Sequence, residues 1–221
     1  DIETRLAGVT TDSDTWQYIY NALGHRVAEI HNGVRANYLL DPTGLGDVVA
    51  EYDVSASLSA GYVHSAGGLL AQRDPAGNSN YYTFDALGNA SELTDPSGTP
   101  LNRYVFDPFG QTLLASETSP NDYEFVGRRG IMATGHGDHF MRARYYDPAL
   151  GRFNSRDPLG LEGGDVNLYA YVGNDTLRRV DPTGTRYRYF LCHDERVEIP
   201  VTQTVSESRL GLSGCVGVTG R

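Results

Sequence analysis

Carboxylates are the most abundant groups in this sequence that could do chemistry. There are 28 Asp and Glu, set against 18 basic residues that are all Arg, and the formal net charge is -10. Seven of the 10 prolines follow an Asp, at Asp41, Asp74, Asp95, Asp107, Asp147, Asp157 and Asp181. His136-Gly137-Asp138-His139 has metal-ligand residue types. No further His or Cys stands at useful spacing, so no metal and no cofactor is expected and the stretch reads as a solvated Gly-rich loop. Cys192 and Cys215 both fall in the last 30 residues. They read as a disulfide that would order a tail poor in core residues, or as two buried thiols. Arg128-Arg129 and Arg178-Arg179 are short basic pairs, better matched to acids of the same chain than to nucleic acid.

The charge is uneven. Residues 1–125 hold 17 acids and 5 Arg, and residues 126–221 hold 11 acids and 13 Arg. An acidic chain without lysine is a poor coat for phosphates, so no nucleic-acid partner is expected. No apolar run is long enough to span a bilayer. A hydrophobic share of 39% with 10% aromatics argues against disorder. The chain starts Asp1-Ile2-Glu3, which reads as a processed or excised start.

What must position these acids is a repeat. D-P-x-G and its relatives place Asp41 with Gly44, Asp74 with Gly77, Asp85 with Gly88, Asp95 with Gly98 and Asp107 with Gly110, and Asn21-Ala22-Leu23-Gly24 is a further copy. With His64–Gly67 allowed as a weak copy, the glycines from 67 to 110 step by 10, 11, 10 and 12 residues. Each unit of about 21 residues therefore holds two turns. Asp bonds backbone N–H groups two residues on, Pro presets φ, and Gly tolerates a positive φ. The six or seven residues between turns suit a strand of roughly 20 Å. Tyr18 and Tyr20, Tyr82 and Phe84, and Tyr104 and Phe106 are i, i+2 pairs, which puts each pair on one strand face. The expected fold is all-β: a strip of hairpins forming an open sheet, with aromatic rows on one face and no long helix.

Aromatic-x-aromatic-Asp followed by Gly resembles the tyrosine–aspartate (YD) repeats of Rhs proteins, which are shared with teneurins and the C components of Tc toxins. The resemblance is loose over about 15–125. It is nearly continuous over 141–184, where Met141-Arg142-Ala143-Arg144-Tyr145-Tyr146-Asp147-Pro148-Ala149-Leu150-Gly151-Arg152-Phe153 is similar to the opening of the Rhs-associated core segment. Ser155-Arg156-Asp157-Pro158-Leu159-Gly160-Leu161-Glu162-Gly163-Gly164, Asn167-Leu168-Tyr169-Ala170-Tyr171-Val172 and Val180-Asp181-Pro182-Thr183-Gly184 continue it. The resemblance implies a YD strip over 1–125, an inward-curling cap or plug over 126–185 and a variable tail over 186–221. It also implies a secreted or surface protein whose spiral shell encloses a C-terminal polypeptide, of which this chain would supply the last few turns and the plug.

In relatives that release such a polypeptide, the core segment is an intramolecular aspartyl protease. Carried over by position, its acids would be Asp157 and Asp181, supported by Arg156 or Arg144, and the cut would follow Thr185. The chemistry needs two carboxylates that share a proton, one activating water and the other protonating the leaving amine. Against this, both acids also fit the turn pattern of the other Asp-Pro copies, and Thr185 departs from the Leu of cleaving members.

The 36 residues of 186–221 are too few for an unstapled core. Tyr187–Leu191 and Val197–Val201 look like two more strands. A different class of function follows from the open strip. A hairpin stack without caps has bare edges, so a second copy could add strand to strand and build a filament. The Tyr-rich face could instead bind glycans. The expected partners are thus upstream repeats, further copies or a C-terminal cargo.

Overall fold

A computed structural model describes residues 5–192 and 215–218, the side chains of 190–192 and 215–218 excepted. The first eleven strands are β1 (Gly8–Thr10), β2 (Thr15–Tyr20), β3 (Arg26–His31), β4 (Val34–Leu40), β5 (Val48–Tyr52) and β6 (Leu58–Ser65), then β7 (Gly68–Arg73), β8 (Ser79–Phe84), β9 (Ala90–Thr94), β10 (Pro100–Phe106) and β11 (Thr112–Glu117). They form one antiparallel sheet in sequence order, whose end strands β1 and β11 each pair on one side only among the described residues. Seven short strands follow. β12 (Met132–Ala133), β13 (His139–Met141), β14 (Arg144–Asp147) and β15 (Arg152–Phe153) make a second sheet, and β16 (Arg179–Val180), β17 (Arg188–Cys192) and β18 (Cys215–Val218) a third. The fold is all-β, antiparallel and not closed.

The turns explain the sheet. At Asn21, Asp74, Asp85, Asp95 and Asp107, the glycine three residues on donates its N–H to the carbonyl of the first residue at 2.8–3.1 Å. The first residue's own N–H bonds the carbonyl four residues on. The five glycines sit at φ between 80° and 90°, the left-handed position of a type I turn closed by a bulge. At Asp85, Asp95 and Asp107 the carboxylate accepts the N–H groups two and four residues on. A proline after the Asp costs no hydrogen bond, because that position has no donor role in the turn.

Three details differ from the sequence expectation. The Asp41 loop is wider, closing on the Asp47 carbonyl, and Gly46 rather than Gly44 takes the positive φ. His64–Gly67 is no copy of the turn, since Ser65 pairs with Gly68 in a tight hairpin. Two further turns carry no D-x-x-G at all. One is Asn32-Gly33, with both residues at positive φ, and the other runs from Asp53 to Ser57, where Ala56 occupies the left-handed position at φ 61°.

Ten steps of about 4.8 Å would set β1 and β11 roughly 48 Å apart in a flat sheet. Yet the Tyr145 ring lies 5.1 Å from Tyr18 on β2, while its neighbour Tyr146 donates its hydroxyl at 2.6 Å to the Phe109 carbonyl beyond β10. The sheet must therefore curl so that one segment reaches both ends. Its inward face and residues 123–145 share one core, with Trp16, Tyr18, Tyr62 and Leu69 against Tyr123, Met132, Phe140 and Tyr145. A second core, built on Phe125, Met141, Tyr146, Phe153 and Tyr171, lies within the later segment and receives Phe106 from the sheet.

Candidate functional site

The aromatic pairs face this interior. Tyr20, Tyr82 and Phe84 pack on the first core, and Tyr82–Phe84 and Tyr104–Phe106 stack at 5.4 and 6.1 Å. The face offered above to glycans is thus covered by the chain's own residues 123–145. The His136–His139 stretch is likewise not a solvated loop. The His136 side chain is 5% exposed, accepts or donates at 2.8 Å to the Tyr18 hydroxyl, and meets the Trp16 ring edge-on at 5.2 Å. His139 is buried beside Phe125, and burial lowers its pKa to about 4. Among the described residues, no group of three or more His, Cys, Asp or Glu could hold a metal, and no helix is long and apolar enough to cross a membrane. The register sets Cys192 opposite Cys215 in the third sheet; their side chains lie outside the described residues, as does Val197–Val201.

Asp157 and Asp181 come together on Arg144. One nitrogen of its guanidinium, Nη2, lies 2.9 Å from Asp157 Oδ2 and 3.5 Å from Asp181 Oδ2, and the three side chains are only 3–8% exposed. Arg144 is aimed by β14 and fixed on every side. Its Nε donates to the Gly184 carbonyl, its Nη1 to the Leu168 carbonyl at 3.0 Å, and its guanidinium carbon sits 3.6 Å over the Phe153 ring. Arg156, the other candidate support, is exposed, and the ion pairs of both acids are made to Arg144.

Each acid divides its oxygens between two tasks. Asp157 Oδ1 accepts the Leu159 N–H at 2.8 Å, a turn bond. Asp181 Oδ1 accepts from the Thr183 hydroxyl at 2.9 Å and from the Arg186 N–H at 3.1 Å. The Oδ2 atoms are left for Arg144. Turn duty and a paired-acid arrangement are therefore compatible. Burial raises the Asp181 pKa, opposed by the Thr183 bond and by Arg144, while burial lowers that of Arg144.

The peptide bond between Thr185 and Arg186 lies against this pair. Its N–H rests on Asp181, and its carbonyl oxygen approaches the Gly163 backbone beside Asp157. A cavity of about 20 Å³ opens among Arg144, Asp157, Gly163, Asp181, Thr185 and Arg186, room for one water. Thr185 itself bonds the Thr183 hydroxyl at 3.0 Å.

The turn that carries Asp181 is tied to the strip through Arg142. That side chain pairs with Asp47 and donates to the carbonyls of Leu45, Arg129 and Pro182. Neither Arg142 nor Gly163 could be singled out from spacing, because both act through residues distant in sequence.

No family model matches the chain. Over 193 residues it is 32% identical to the tRNA3(Ser)-specific nuclease WapA of Bacillus spizizenii, a match covering 83% of the chain and 8% of that protein. It is 28% identical over 210 residues to the probable deoxyribonuclease RhsA of Dickeya dadantii, covering 91% of the chain and 14% of that protein. This chain belongs to the Rhs/YD-repeat family. The Rhs segment is also 27% identical over 194 residues to the double-stranded DNA deaminase toxin A of Burkholderia cenocepacia, covering 84% of the chain and 13% of the relative. Its fold is that of the TcdB2-TccC3 crystal structure, with a TM-score of 0.63 and 21% identity over 80% of the chain and 10% of that structure's chain. The segment thus spans 8–14% of the curated relatives it matches here, and its family is toxin-associated.

Proposed function

We propose that this Rhs segment closes one end of a larger, secreted or surface-borne β shell that holds a C-terminal polypeptide. The observation that supports this best is the curl of the sheet around residues 123–146, with β1 pairing on one side only among the described residues. Electron microscopy tests it: a chain with its upstream repeats should form hollow particles. Long fibres from the segment alone would favour strand addition between copies instead, and solid monomers under both conditions would contradict the shell.

The paired acids favour a second activity of the same cap, hydrolysis of the Thr185–Arg186 bond. In this reading Asp157 takes a proton from a water entering the cavity as its oxygen attacks the Thr185 carbonyl carbon. The C–N bond then breaks, and the Arg186 nitrogen takes a proton from Asp181, which enters the step in its acid form and lies at that nitrogen. One water is consumed, and a carboxyl at Thr185 and an amine at Arg186 are formed. Arg144 is the positioning cation, and burial moves the Asp181 pKa upward, the direction an acid role needs. Asp157→Asn should leave the fold intact and stop the cut, read by intact mass. A variant that still cuts at the parental rate would remove Asp157 from the reaction.

A further inference from the structure

Gly163 has no conformational reason to be glycine. Its φ lies outside the left-handed region, unlike that of its neighbour Gly164 at φ 98°. Any residue could adopt this backbone. What excludes a side chain is space: a Cβ at this position would stand 2.6 Å from Asp157 Oδ2 and 3.2 Å from the Thr185 carbonyl oxygen. The first distance is closer than any real Cβ contact, and the carboxylate cannot retreat freely, because its Oδ1 is held by the Leu159 N–H and its Oδ2 by Arg144. The water-sized cavity has the same glycine on its wall.

We infer that Gly163 is a positioning residue for the Thr185–Arg186 cut: its bare Cα is what lets Asp157, one water and the Thr185 carbonyl meet. This rests on the hydrolytic reading above. A methyl group here would push Asp157 off Arg144, shift the Thr185 carbonyl and take the space of the water. The neighbouring Gly164 serves as the contrast. There the nearest foreign atom is a Tyr187 ring carbon at 3.9 Å, so alanine would strain the backbone and leave the site its room.

The experiment uses the full chain with Gly163→Ala and Gly164→Ala. Gly163→Ala should slow the cut by about 100-fold, the scale of a small misplacement of reacting groups. Its Tm should fall by a few degrees, as expected when a side chain is forced into filled space. The pH–rate profile of its residual cutting should change shape, which simple loss of stability would not do, because Asp157 no longer sits on Arg144. Gly164→Ala should lower Tm and keep the parental profile. A Gly163→Ala chain that cuts at the parental rate with the parental profile would overturn the inference, as would slowing no greater than that of Gly164→Ala. If the parent does not cut at all, the hydrolytic reading fails by itself. The contact is then judged by NMR exchange of the Arg186 amide, held by Asp181 in the parent. Exchange faster by about tenfold in Gly163→Ala supports the close approach, and unchanged exchange refutes it.

Discussion

Arg144 has almost no solvent to share its charge with, since 3% of its side chain is exposed and two carboxylates lie on one of its nitrogens. Removing it would leave both acids buried without a counter-charge. Arg144→Ala should therefore cost about 3–5 kcal/mol in chemical denaturation. Asp74→Asn offers the contrast, because Asp74 is an exposed turn acid bonded to Asn78, and its loss should leave any cutting after Thr185 unchanged. From the sequence alone Asp157, Asp181 and Asp74 are alike, each an Asp before a Pro. Their difference is set by β14, which brings Arg144 to the first two from 13 and 37 positions away. Resemblance to the family supplied the pair of acids; only the packing chooses Arg144 over Arg156.

At the scale of elements, the turns were legible because their chemistry is local. Asp85 bonds Leu87 and Asn89, all within five residues, so the spacing carries the geometry. The turn at Asp53 keeps the same bonds with Ala56 where glycine would stand, which hid it from a search for glycine. The burial of His136 is not legible for the opposite reason, since its partners Trp16 and Tyr18 lie about 120 residues earlier. Two glycines separate the local and tertiary contributions. Gly98 sits at φ 85° with open space around it, so Gly98→Ala should cost about 1 kcal/mol from backbone strain alone. A Cβ on Gly110 would also stand 2.8 Å from the Phe125 ring, so Gly110→Ala should cost clearly more. Thermal melts of the two variants check the order, and equal costs would mean that Phe125 yields freely.

At the scale of the whole molecule, the inner acids make the stability of the folded chain sensitive to pH. Burial raises the pKa of Glu51 to about 7, helped by Asp122 and opposed by the Tyr62 hydroxyl bond, and burial raises Glu124 to about 7 as well. A carboxyl whose pKa is higher in the folded chain stabilises it most when protonated, so that contribution is lost as pH rises from about 4.5 through 7. Buried His139 works the other way, its contribution being lost as pH falls from 6.5 toward about 4. Glu51→Gln isolates the carboxyl. It should raise Tm relative to the parent at pH 8 and change it little at pH 4.5, while a constant offset at both values would contradict the assignment.

The curl of the sheet, the segment it encloses and the acid pair held by that segment's Arg144 lead to one testable bond. Intact-mass analysis of the purified full chain, followed by N-terminal sequencing of any fragment, tests this most directly. The account predicts a break between Thr185 and Arg186, giving a new terminus that reads Arg186-Tyr187-Arg188-Tyr189 and that Asp157→Asn abolishes. A single intact species of 24.1 kDa after prolonged incubation, or a break at any other bond, would contradict it.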